Sequence, residues 1–231
     1  MTNVSGTPEK RATRKALFAF AEETLKKEGW TVSRVPRGGK ASLRLITKGG
    51  RSHKVSIRTS QDTWIAFPRK TGSEGWVTLD DVDYVVAASV NDRHSPTEAR
   101  VHMIPGDDAR ARFDRAYKAR KDADFVIPDG RGIWLSLYDE DASEPVTRVG
   151  AGMGLDYKPL AVLDLRKSAL PSASEKADEE AADDDDDDAE DQTAASGTVE
   201  RSAPLTIAEA KRRLAETLGV PETSIKITIE H

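Results

Sequence analysis

The sequence predicts an α+β domain, a mixed sheet flanked by helices, followed by a disordered acidic linker and a small C-terminal helix-strand module. Three observations carry that reading. An amphipathic helical signal at the N-terminus gives way to short β-branched runs broken by Gly and Pro. A second helical signal follows an almost continuous apolar run. At Ser172 the composition changes abruptly, which sets boundaries of 1–171, 172–203 and 204–231 for the domain, the linker and the terminal module.

Thr7 before Pro8 is a helix cap followed by a favoured first helical residue, and Leu17, Phe20, Ala21, Thr24 and Leu25 share one face until Gly29. Strand-like runs follow at Trp30–Val35, Ser42–Thr47, His53–Thr59 and Thr63–Phe67, with turns at Pro36-Arg37-Gly38-Gly39 and Gly49-Gly50. They predict an antiparallel meander of three or four strands. Trp76–Leu79 reads as a further strand, and Val82–Val90 as a strand near the sheet centre, covered on both faces.

After Arg100–Ile104, Gly106-Asp107-Asp108 opens a helix to about Lys121, with acids at its positive end and Arg120 and Lys121 at its negative end. Phe113, Ala116 and Tyr117 form its apolar stripe. Ile133–Tyr138 predicts a strand, Val149–Tyr157 a flexible glycine-containing loop, and Ala161–Leu165 a last strand.

From Ser172 to Ala203 aromatics vanish and Asp, Glu, Ala and Ser dominate, a composition that buries too little apolar surface to offset chain entropy. Beyond it, Thr206-Ile207-Ala208-Glu209 forms a capping box, and Ile207, Ala210, Leu214 and Leu218 make a stripe that Gly219 ends. Ile225, Ile227 and Ile229 alternate as a strand. A unit of about 30 residues is too small to fold alone, so it is expected to pack on a copy of itself, on a protein partner or on the main domain. Ile207, Leu214, Leu218, Ile225, Ile227 and Ile229 are its candidate oligomerisation contacts.

The charge is strongly segregated. The first 70 residues carry 16 Lys and Arg against 5 Asp and Glu, residues 1–171 sum to +6, and Ser172–Glu200 sums to −12. A basic folded surface attracts phosphate backbones, and an acidic segment on the same chain competes for it. As a random coil Ser172–Glu200 spans roughly 30 Å, against a radius of gyration near ~15 Å for the main domain, so it reaches most of that domain's faces.

With no cysteine, disulfides, thiolate zinc sites and Cys nucleophiles are excluded. The polar, basic start lacks the apolar core of a signal peptide and no run approaches the ~20 apolar residues of a membrane span, so a cytoplasmic chain without membrane contact is expected.

The chemistry centres on the predicted second and third strands. Arg44, Lys48, Arg51, Lys54, Arg58 and Arg69 supply cations, and strand alternation places Val55 and Ile57 inward with Lys54, Ser56 and Arg58 outward. Trp64 is a candidate base-stacking platform, while Trp30, Trp76 and Trp134 read as core. His53, His94, His102 and His231 lack metal-ligand spacing, so no metal or other cofactor is expected. Gly150-Ala151-Gly152-Met153-Gly154 lacks the spacing of a nucleotide fingerprint, and Pro128-Asp129 reads as a turn. Asp80, Asp81 and Asp83 fall on opposite faces of a strand start rather than in one metal cluster.

The order helix, three strands, further strand and helix, with a basic second-to-third hairpin, resembles the PD-(D/E)XK restriction-endonuclease-like fold over residues 8 to 125. In that family an acid on the second strand and an acid-x-Lys on the third hold a divalent metal that activates water. Here Ser56-x-Arg58 occupies the acid-x-Lys position, and no carboxylate lies between Glu28 and Asp62. A hard cation needs charged oxygen ligands that such a hairpin lacks.

The resemblance therefore implies a non-enzymatic nucleic-acid-binding protein, with DNA favoured over RNA as partner; the charge run itself reads either as a solubilising linker or as an autoinhibitory element that occupies the basic hairpin. Two other readings stay open: a metal-dependent nuclease with relocated carboxylates at Glu22 or Glu23 and at Asp62, and a protein-interaction adaptor in which the acidic linker or the terminal module captures a protein.

Overall fold

The computed structural model describes residues 7–36, 40–72, 74–92 and 94–171; the acidic linker and the helix-strand module lie outside the described residues. The elements run α1 (Pro8–Lys27), β1 (Thr31–Arg34), β2 (Leu43–Lys48), β3 (Arg51–Ser60), β4 (Trp64–Phe67), β5 (Tyr84–Val90), β6 (Glu98–Pro105), α2 (Gly106–Asp122), β7 (Ile133–Ser136), α3 (Met153–Asp156) and β8 (Ala161–Asp164). Together they make a mixed α+β fold on a six-stranded sheet of order β1-β2-β3-β5-β6-β8. Neighbours are antiparallel except β3 and β5, which run parallel.

α1 forms where its cap and stripe place it. The Thr7 hydroxyl accepts from Lys10 N at 3.3 Å, Pro8 stands in the first turn, and Leu17, Phe20, Ala21, Thr24 and Leu25 are buried. They pack on one sheet face against Ile46, Val55, Ile57, Val86, Ala88 and Val101. The other face carries Val85, Ala87 and Ile104 and is covered by α2 through Ala109, Phe113 and Ala116, together with the small sheet of β4 and β7. β5 is thus enclosed on both sides, as its apolar run requires.

Four expectations are corrected. Thr63–Phe67 does not extend the meander; as β4 it leaves the main sheet and pairs antiparallel with β7, Ile65 opposite Leu135. Trp76–Leu79 is no strand but a turn leading into a 3-10 segment at Leu79–Asp81, with one bridge from Trp76 to Arg69. At its start, Leu79 N donates to Val77 O at 2.9 Å, closing a γ-turn around Thr78, whose φ of +67° is costly for a β-branched residue.

The third correction concerns β3. Val55 and Ile57 do face the α1 core, yet Ser56 and Arg58 do not face solvent, because the other face is covered as well and Ser56 is fully buried. The segment expected as a flexible loop at Val149–Tyr157 is also packed, with Ala151 and Met153 buried and α3 within it. Gly150 has φ +85° and approaches α2 so closely that a Cβ there would lie 2.6 Å from Arg112 O. No helix among the described residues is long and apolar enough to cross a membrane.

Phe113 stands edge-on between Phe67 (5.2 Å) and Trp76 (5.3 Å), tying α2 to the small sheet. Phe113→Ala is expected to cost about 3–5 kcal/mol and to lower Tm by roughly 10 °C in thermal unfolding. A shift of under about 2 °C would show that this contact does not hold α2 in place.

Candidate nucleic-acid interface

The turn joining β2 to β3 is Gly49-Gly50, with φ of +57° and +77°, the positive pair that tight hairpins need. It sets Lys48 opposite Arg51. Lys48, Arg51 and Lys54 are all exposed. Lys48 Nζ donates to Glu28 O at 2.5 Å and lies 5.6 Å from the Trp30 ring centre. Lys54 sends its side chain outward while its backbone N donates to Asp83 Oδ2 at 2.9 Å. Neither strand of the hairpin carries a carboxylate.

The remaining predicted cations sit elsewhere. Arg44 is only 6% exposed; its Nε donates to Glu22 Oε1 at 2.7 Å, and its guanidinium covers the Phe18 ring at 4.7 Å. Arg58 is half-buried, lies 4.3 Å over Phe67 and donates from Nη2 to Thr78 Oγ1 at 2.6 Å. Arg69 is held between Trp76 (4.7 Å) and Tyr117 (4.4 Å), with Asp114 at 3.7 Å. From Arg51 to Arg58 an extended strand covers ~23 Å. The six cations therefore divide into an exposed hairpin tip of three and three that brace the interior.

Trp64 is half-buried on the face of β4 that alternates away from Ile65 and Phe67, apart from the hairpin tip. Trp76 is core as expected; Trp30 is half-buried but packs against the α1-side core, and Trp134 is half-buried. Glu23 is half-buried on α1. Asp62 closes a local turn, its Oδ1 accepting from Ser60 Oγ at 2.7 Å and Trp64 N at 2.9 Å. Asp80 pairs with Lys70 at 2.8 Å, and Asp83 lies 3.5 Å from His53. Among the described residues no group of three or more His, Cys, Asp or Glu is placed to hold a metal ion. The candidate oligomerisation residues from Ile207 to Ile229 lie outside the described residues.

A polar layer inside the sheet was not anticipated. On the α2 face, Ser60, Ser89 and Arg100 align across β3, β5 and β6, one row beyond Arg58, Ala87 and His102. His102 is fully buried, and its Nδ1 lies 2.7 Å from Tyr157 O. A carbonyl only accepts, so the proton resides on Nδ1, and Nε2 accepts from the Tyr138 hydroxyl at 2.8 Å. Burial, aided by the Arg100 charge, pushes the His102 pKa below its ordinary value, against the opposing pull of the Tyr157 carbonyl. The sequence signal lies in alternation: Arg100 and His102 share the parity of Ile104, which faces the α2 core.

Arg120, at the end of α2, is another interior cation. Its Nη2 donates to Trp134 O at 2.9 Å and Thr147 O at 3.2 Å, and burial lowers its pKa to about 10.

In comparisons with known proteins, no family model, no curated protein and no solved structure matches this chain.

The His102 geometry predicts a pH dependence. A histidine whose folded pKa lies below the unfolded value of about 6.5 takes up its proton more readily when unfolded, so stability falls as pH drops below that value. Urea unfolding of the wild-type chain should show a lower midpoint at pH 5 than at pH 7, with the difference reduced in His102→Gln. Equal midpoints at the two pH values would contradict a neutral, buried His102.

Proposed function

We propose that this chain is a non-enzymatic nucleic-acid-binding protein that grips backbone phosphates with Lys48, Arg51 and Lys54 at the tip of the β2–β3 hairpin. The observation that carries the reading is their joint exposure on a hairpin free of carboxylates. Ammonium and guanidinium groups on a rigid ribbon suit a sequence-independent hold on phosphates, and their charge is what draws a polyanion to the surface. The acidic tract Ser172–Glu200, with its net −12, is the competitor on the same chain.

The likeness to the restriction-endonuclease-like fold is supported by the succession of α1, the antiparallel β1–β2–β3 meander, further strands and α2. The positions that resemble the family's acid-x-Lys hold Ser56, fully buried, and Arg58, stacked on Phe67. Neither offers the anionic oxygen that a divalent metal needs, which favours binding without cleavage.

Three phosphate contacts predict a loss of affinity of roughly 40-fold between 50 and 200 mM salt for the full-length chain on DNA, since each contact contributes about −0.9 to the logarithmic slope. Arg51→Gln and Lys48→Gln, at exposed positions, should each reduce the slope by about 1, with stability unchanged in Arg51→Gln. Salt-independent binding, or unchanged slopes in both variants, would remove the hairpin tip as the contact surface. Cleavage of DNA or RNA with Mg²⁺, abolished by Glu23→Gln or Asp62→Asn, would replace the reading with a nuclease.

A further inference from the structure

We infer that the nucleic acid this surface takes is single-stranded, its unpaired bases stacking on a platform made by Trp30, His53 and Tyr84. The inference rests on the nucleic-acid reading above and names the class of strand that the hairpin tip fits.

The three rings come from separate segments and converge through register. Ile46 pairs with both Val32 and His53, and Val55 pairs with Tyr84, so Trp30, two residues before Val32, joins His53 and Tyr84 on the α1 face of the sheet. They lie beside the C-terminal end of α1, where Trp30 N donates to Leu25 O at 3.0 Å. His53 meets Trp30 at 5.9 Å with planes at 72°, and Tyr84 at 5.3 Å with planes at 89°. Such edge-to-face contact uses one ring face per pair, where parallel stacking would use two.

All three rings stay partly exposed, the His53 side chain by 28%. Trp30 and Tyr84 pack on the α1-side core but keep part of their surface open, unlike Trp76, which is 1% exposed and spends its indole N–H on Asp114 Oδ1 at 2.8 Å.

Cations line one side of the platform. Lys48 leans over Trp30, Arg51 faces Lys48 across the turn, and the exposed Lys26 and Lys27 end α1 just before Trp30. Asp83, 3.5 Å from His53 Nδ1, makes the opposite side anionic, so a phosphate track runs along the Lys48–Arg51 side. Partly open rings beside a positive track are what unpaired strands exploit, because every base offers a π-face. A duplex keeps its base faces stacked internally and can use only the cations.

The test uses the full-length chain at 50 mM salt and three labelled probes of about 12 nucleotides, within the usual site range of such surfaces: oligothymidylate, an abasic strand of equal charge, and a duplex. Oligothymidylate should bind roughly 5- to 150-fold tighter than the abasic strand, the factor expected for one stacked base. Trp30→Leu and Tyr84→Leu should each weaken oligothymidylate while leaving the abasic strand unchanged. The comparison of probes on the wild-type chain does not depend on either variant folding.

Equal affinity for the abasic strand, or tightest binding to the duplex, would overturn the platform and leave the phosphate reading standing. Failure to bind any of the three probes would remove both.

Discussion

From Val55 beside Tyr84 to Ser60 beside Ser89, β3 and β5 run parallel at the middle of the sheet, and a parallel pair has to be covered on both faces. α1 covers one side; α2 and the β4–β7 pair cover the other. β3, however, begins at Arg51, four residues before its first partner on β5. The hairpin therefore projects past the covered region. Lys48, Arg51 and Lys54 stay in water, whereas the same strand from Val55 to Ile57 is buried.

That constraint also sorts the cations by task. Beyond the seam a basic side chain keeps its hydration. Inside, the same residue types need aromatic faces, carbonyl oxygens or a carboxylate, because an unsatisfied charge in a low-dielectric setting is costly. Arg44 on Phe18 and Glu22, Arg58 on Phe67 and Thr78, and Arg69 between Trp76 and Tyr117 all follow this rule. Thr78 holds a left-handed backbone in the turn that meets Arg58, so strain and an interior guanidinium fall at one place.

Local signals were legible in the sequence. Thr7-Pro8 marked the start of α1 and its spacing marked the buried stripe; the run into β5 announced a strand enclosed on both sides. What sequence periodicity cannot supply is the identity of the covering layer. Alternation gave the correct parity for Val55 and Ile57, but the fate of Ser56 and Arg58 depended on β4 leaving the sheet to pair with β7, a contact nearly 70 residues away in the chain.

The placement of the aromatics depends on register in the same way. Trp64 was read beside the basic strand because it is near in sequence, whereas Trp30 and Tyr84 reach the hairpin tip only through the register of β1, β3 and β5.

Under the proposed function, polynucleotides meet this protein at the uncovered end of the hairpin and nowhere along the enclosed part of β3. Hydrogen exchange of the full-length chain with and without a saturating single strand tests this most directly. Slowed exchange should concentrate at Trp30–Thr31 and from Lys48 to Lys54, with little change from Arg69 to Leu79. Protection centred on Arg69–Leu79, with the hairpin tip unaffected while the strand is bound, would contradict it.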